Sequence, residues 1–171
     1  MPSLALDQIN AMTAKAFRDA LGGVFEHSPW IAERAFAARP FAGVAALHAA
    51  MTEVVRRATR EEQLALLRSH PDLAGKEAKA GTMTRDSTSE QGSAGLDALS
   101  REEIERIDGL NRRHRAKFGF PFIIAVRRHT KDGIFAEFER RLGNDAQTEL
   151  ANGLEQVFLI TRLRLDAMIS G

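Results

Sequence analysis

Cysteine is absent from this chain. Disulfides, thiolate metal sites and cysteine nucleophiles are therefore excluded, and a reducing compartment is the natural setting. No stretch approaches 18 apolar residues in a row, so nothing reads as a membrane span. Neither charge dominates: 24 Lys and Arg stand against 23 Asp and Glu, a net charge of +1. That balance gives no global pull toward nucleic acid or an anionic membrane. GxGxxG, P-loop, GxSxG and HExxH motifs are all missing, and no two of the five histidines have the i, i+4 spacing of a zinc site. An enzyme built on this chain is expected to work without a metal or a nucleotide. The opening MPSLALDQINAMTAKAF has neither a basic start nor an uninterrupted apolar core, so a secretory signal is not expected. The closing DAMISG is not a peroxisomal address.

What is present is a helical pattern. A chain of 171 residues suits one domain and should bury about 70% of its unfolded surface. Apolar residues recur at three and four from Leu4 to Leu21, through Ile9, Met12, Ala16 and Phe17, and stop at Gly22-Gly23. Ser28-Pro29 opens a short helix from Trp30 to Ala38, ended by Pro40. Val44, Leu47, His48, Met51, Val54 and Val55 share one amphipathic face. Thr59 with Glu62, and Ser100 with Glu103, are capping boxes; the second opens a helix to about Lys117. Asp132–Leu142 is closed by Gly143, and Asn144 with Gln147 opens a last helix to about Ile169. The expectation is a single all-α domain of seven or eight helices.

Two segments break the pattern. Residues 71–99 carry four glycines among many Ser and Thr, a loop long enough to be functional or disordered. FGFPFIIAV, 118–126, is apolar, aromatic and β-branched, and too short for a helix after Pro121. With no partner strand in sight, it reads as an extended buried segment.

Three places can carry chemistry. His70 precedes Pro71, which pushes its backbone toward an extended conformation and mounts the imidazole stiffly at a chain reversal. A stiff mount suits a proton donor, while a capping or packing histidine is the commoner case. The loop 71–99 holds Ser87, Thr88, Ser89, Glu90 and Gln91, a polar run able to offer N–H groups and a carboxylate to a ligand, or simply to face water. On the last helix, Arg164 flanks the apolar stripe beside Val157 and Ile160, closer in than Arg162 on the other side. It can aim a guanidinium at a carboxylate, or snorkel at a rim. The basic run RRHRAK, 112–117, sits on a helix with acidic residues upstream and reads as a solvated face rather than a nucleic-acid site. His48 reads as a core or interface histidine.

Taken in order, SHPDLAGK, TRDSTSEQGSAGLDAL, LNRRHRAKFGFPFIIAVRRHTKDGI, ERRLGND and LITRLRL closely resemble the decarboxylase family that acts on 2-oxo-4-hydroxy-4-carboxy-5-ureidoimidazoline. The resemblance runs from about residue 10 to the C-terminus. It implies an all-helical fold, a homodimer, no cofactor, and the last step of urate breakdown to (S)-allantoin with loss of CO2. By the same resemblance His70 is the proton donor, with Glu90 and Arg164 as its catalytic companions. Pro71, the segment Ser87 to Gln91 and the segment Phe122, Ile123, Ile124, Ala125 and Val126 correspond to substrate-binding parts. The family's helix before FGFPF often carries Tyr where this chain, which has no Tyr, has His114. The missing peroxisomal address separates the chain from eukaryotic members and fits a bacterial cytoplasm. The competing class is a helical module that binds the ureide and no longer turns it over.

Overall fold

A computed structural model describes residues 3–170. Among these residues ten α-helices follow one another: α1 (Leu6–Ala11), α2 (Ala14–Leu21), α3 (Trp30–Ala35), α4 (Val44–Arg57), α5 (Arg60–Arg68), α6 (Lys76–Ala80), α7 (Arg85–Ser93), α8 (Arg101–Phe118), α9 (Lys131–Arg141) and α10 (Ala146–Met168). Short 3-10 turns occupy Phe36–Ala38 and Val126–Arg128. The extended pairing among the described residues is a two-residue parallel ladder of β1 (Leu4–Ala5) with β2 (Ile169–Ser170). The all-α class expected from periodicity is observed.

The start signals work as read. The Thr59 hydroxyl accepts from the Glu62 N–H at 3.1 Å, and the Glu62 carboxylate accepts from the Thr59 N–H at 3.1 Å. Ser100 and Glu103 repeat the exchange at 3.2 and 2.9 Å. Each box satisfies backbone donors that the first helical turn leaves orphaned.

The helix count exceeds the expected seven or eight for local reasons. The expected run from Leu4 to Leu21 breaks at Met12 and Thr13, both extended; the Thr13 hydroxyl accepts from the Ala16 N–H at 3.1 Å and starts α2 afresh. The stretch 71–99 is not one loop, because it contains α6 and α7. Gly81 ends α6 in the left-handed region at φ 70°, where a glycine is strain-free, and Thr84 caps α7. Polar composition hid α7, since it has no apolar stripe to reveal it. The last helix is capped one residue later than expected: Asp145 accepts from the Thr148 N–H at 2.7 Å.

The chain divides into two compact units. One comprises the residues up to Ser69 together with Phe158 onward; the other runs His70–Val157. In the first, α3 packs on α2 and on α4, and Phe17, Leu21, Ile31, Leu47 and Met51 are fully buried. Each such side chain contributes about 1.5–3 kcal/mol relative to exposure. In the second, Leu73, Leu96, Ile107, Leu110, Phe122, Ile124, Ile134 and Phe138 form one apolar cluster. After Gly119, which closes α8 at φ 80°, residues 121–125 form neither helix nor strand, and Phe122 and Ile124 enter this cluster.

Candidate active site

His70 is the first residue of the second unit, just past the end of α5, and is 6% exposed. Its neighbour Ser69 belongs to the first unit, where its hydroxyl lies 2.7 Å from the Glu26 carbonyl and 2.6 Å from that of Leu66. Pro71 is half-buried. The turn that follows is clamped by three side chains. Gln91 accepts from the Ala74 N–H at 2.8 Å and donates to the Asp72 carbonyl at 3.2 Å. Asn111 donates to the Leu73 carbonyl at 3.0 Å. Arg115 donates through Nε to the Asp72 carboxylate at 3.2 Å. Burial pushes the Asp72 carboxyl up, and the attraction of Arg115 only partly offsets this. The pair ties Asp72 to α8. Ala74 lies at φ 47°, a left-handed conformation unusual for a residue with a Cβ, and the clamp is what holds it there.

Helix α7 presents the polar run. The Thr84 hydroxyl accepts from the Ser87 N–H at 3.2 Å. Ser87 and Gln91 are buried, Glu90 is half-buried, and Thr88 and Ser89 are exposed. Helical spacing puts 87, 90 and 91 on the inner side. Outside, Thr88 donates to the Thr84 carbonyl at 2.9 Å and Ser89 accepts from Arg127 at 2.9 Å. The helix that carries Glu90 is thus the helix whose Gln91 holds the turn beside His70. The side-chain amide of Gln91 uses its oxygen and one N–H on that turn.

The segment Phe122–Val126 is buried throughout. Alternation sends Phe122, Ile124 and Val126 into the apolar cluster. The Ile123 carbonyl accepts from Arg141 at 2.7 Å, and the Ala125 N–H donates to Gln156 at 2.9 Å. Arg164 lies in the first unit, 7% exposed, donating to the Val24 carbonyl at 3.1 Å and to the Glu26 carboxylate at 3.2 Å. It is an inward arginine, not a rim one, whereas Arg162 is half-buried and pairs with Asp166 at 3.0 Å. Sequence reasoning missed Glu26, 1% exposed, because a lone Glu in a Gly-rich turn looks like surface.

It also missed His114. Within RRHRAK, Arg112 and Arg113 face outward, Arg115 reaches Asp72, and His114 is fully buried. His114 and Arg141 both engage Glu149. The signal was available: His114 stands four residues after Leu110 and seven after Ile107 on the buried face of α8. Burial pushes the Glu149 carboxyl up, but hydrogen bonds from His114 and Arg141 outweigh it and hold its pKa below the ordinary glutamate range.

A cavity of about 270 Å³ borders α7 and is lined by Ala74, Met83, Thr88, Gln91, Leu96 and Leu99, among others, but by neither His70 nor Glu90. No group of three or more His, Asp or Glu side chains among the described residues is placed to hold a metal ion. No described helix is long and apolar enough to cross a membrane.

Residues 10–166 match the family model described as OHCU decarboxylase. The chain is 46% identical to the 2-oxo-4-hydroxy-4-carboxy-5-ureidoimidazoline decarboxylase of Haloferax volcanii, over 96% of each chain. It is 42% identical to a uric acid degradation bifunctional protein of Bacillus subtilis, matching 96% of this chain but 33% of that longer protein. Among solved structures, an (S)-allantoin synthase superposes with a TM-score of 0.76 at 29% identity, covering 97% of this chain and 54% of the other.

Proposed function

Because the chain belongs to the OHCU decarboxylase family, we propose a division of labour among its residues for the family's reaction. The protein is a carboxy-lyase that decarboxylates 2-oxo-4-hydroxy-4-carboxy-5-ureidoimidazoline to allantoin, a step of urate degradation. The family match across residues 10–166 supports reading both compact units as one functional domain. The resemblance supports a homodimer working in the cytoplasm.

The substrate carries its own electron sink. When CO2 departs, the bonding pair passes into the imidazoline ring, giving an enediolate-like or enamine-like intermediate. The chemistry therefore requires no pyridoxal or thiamine. The protein's task is to position the ring, stabilise the displaced charge, and deliver one proton to one face. His70 protonates the adjacent ureido-bearing carbon and sets the S configuration there, while the hydroxyl-bearing carbon that lost CO2 becomes the ring carbonyl of allantoin. Glu90 accepts hydrogen bonds from ureido or ring N–H groups. Arg164 holds an anionic group of the substrate, and Glu26 orients its guanidinium. Backbone N–H groups of Phe122 to Val126, other than that of Ala125 which already serves Gln156, cradle the ring oxygen. Ser87, Thr88, Ser89 and Gln91 shape the α7 wall, with Gln91 acting through the turn after Pro71.

One observation carries this reading: a buried imidazole stands on a turn whose backbone is held by Gln91, the residue next to Glu90 on α7. The test is circular dichroism on enzymatically generated substrate. The wild-type protein should give one allantoin enantiomer. His70→Asn should fold and lose about 10²–10⁴-fold in turnover, the usual worth of general acid–base catalysis. A near-native rate in that variant removes His70 from the role. A racemic product from the wild type identifies a binder without turnover.

A further inference from the structure

We propose that the buried cluster of His114, Arg141 and Glu149 is a positioning device for the reaction, aiming the backbone of residues 120–123 at the substrate. This rests on the reading of Phe122–Val126 as a substrate-binding segment.

The three side chains come from three helices, and Arg141 and Glu149 lie in end turns where the helix dipole favours their charges. His114 and Arg141 lie toward the C-terminal ends of α8 and α9, and Glu149 lies in the first turn of α10. The side chains of His114 and Glu149 are wholly buried, and that of Arg141 is 3% exposed. Glu149 is saturated: Oε1 accepts from Arg141 Nε at 3.0 Å and Asn144 Nδ2 at 3.3 Å. Its Oε2 accepts from Arg141 at 2.9 Å and meets His114 Nε2 at 2.6 Å.

His114 and Arg141 also reach one backbone segment. His114 Nδ1 lies 2.9 Å from the Phe120 carbonyl, and Arg141 donates to the Ile123 carbonyl at 2.7 Å. Both ring nitrogens of His114 lie within hydrogen-bond distance of oxygen atoms. The two gripped carbonyls flank Pro121 and Phe122. Proline has no N–H to offer, and residues 121–125 pair with no strand among the described residues. The Phe122 ring is stacked on Phe138 at 3.9 Å, with the Arg141 guanidinium 4.3 Å from its centroid. Position and orientation of the segment are therefore both set by the cluster.

Stability alone does not account for such an arrangement. A buried ion cluster is often no more stabilising than well-packed apolar residues of the same volume. What it adds is direction, because a hydrogen bond fixes where a carbonyl points and a methylene does not. His114 sits among four phenylalanine rings, Phe118, Phe120, Phe122 and Phe138, with centroids 4.6–6.0 Å away, a site that a phenyl ring would fill.

That suggests the test. The triple variant His114→Phe/Arg141→Met/Glu149→Leu replaces the cluster with apolar side chains of similar size. The single variant Arg141→Lys keeps the charge but cannot serve Glu149 and Ile123 with the same fork. Each is assayed for kcat and KM at a temperature where circular dichroism shows it folded. Hydrogen exchange of amides 122–126 is followed with and without (S)-allantoin. In the wild type, (S)-allantoin should slow exchange of those amides. The triple variant should lose that protection and fall about 10²-fold in kcat/KM, the scale of an ångström-sized misplacement. Arg141→Lys should fall between the two, and it decides the matter if the triple variant does not fold. Variants that melt earlier yet keep wild-type kcat, KM and protection overturn the positioning role while leaving the segment's reading intact. Absence of protection in the wild type overturns the segment's reading and this proposal with it.

Discussion

At the scale of single residues, the chain separates groups that titrate in water from groups locked inside. Glu62 and Glu103 are held down to about 2 by exposed partners, chiefly Arg34 and Lys131, and salt should screen them. Glu149 is lowered inside the second unit, where screening is weak. A carboxylate whose folded pKa is depressed contributes stability above its unfolded pKa and loses it as pH falls toward the folded value. Glu149→Gln should therefore be less stable than the wild type near neutral pH, by roughly 3–5 kcal/mol for a broken buried pair. The gap should narrow as pH falls below the ordinary glutamate range. Urea midpoints across pH 3–7 at high salt measure this, and a pH-independent gap contradicts it. His70, Glu90 and Arg164 were legible as chemical types in a motif. Glu26 and His114 were not, because one lay in a turn and the other inside a basic run, and only packing revealed their burial.

Among the elements, the turn after His70 decides how the imidazole is mounted. Its sequence DLAG follows from sterics: a Cβ on Gly75 would stand 2.6 Å from the Asp72 Cβ, on a stem that Arg115 and Gln91 hold in place. Gly75→Ala should fold but lose roughly 1–3 kcal/mol, as overpacked sites do, and turnover should fall with it because the displaced turn carries His70. Equilibrium urea unfolding with the allantoin assay checks both; an unperturbed enzyme would show that the turn yields freely. The capping boxes at Thr59 and Ser100 were readable because they are local contacts between residues three apart. Helix α7 was not readable, since RDSTSEQGS has few apolar residues and lies between glycines. Its inner face is defined by what Gln91 touches.

For the whole molecule, a net charge of +1 gives little overall charge repulsion between copies of the chain. The proposed homodimer is tested by light scattering, which should return twice the 18.9 kDa chain mass at micromolar concentration; a single chain mass rules it out. The residues by themselves determined the all-α class, the capped helix starts, the break in helical structure before Val126 and the family motifs, because all of these depend on neighbours within a few positions or on an ordered string of residues. Tertiary structure alone decided that two compact units form, that Arg164 pairs with Glu26, that Gln91 clamps the His70 turn, and that His114 joins Arg141 and Glu149. Those pairings link residues up to 138 apart, and no local propensity selects which buried charge meets which. The choice falls to burial, since a charge removed from water is tolerated only where folding brings it a partner.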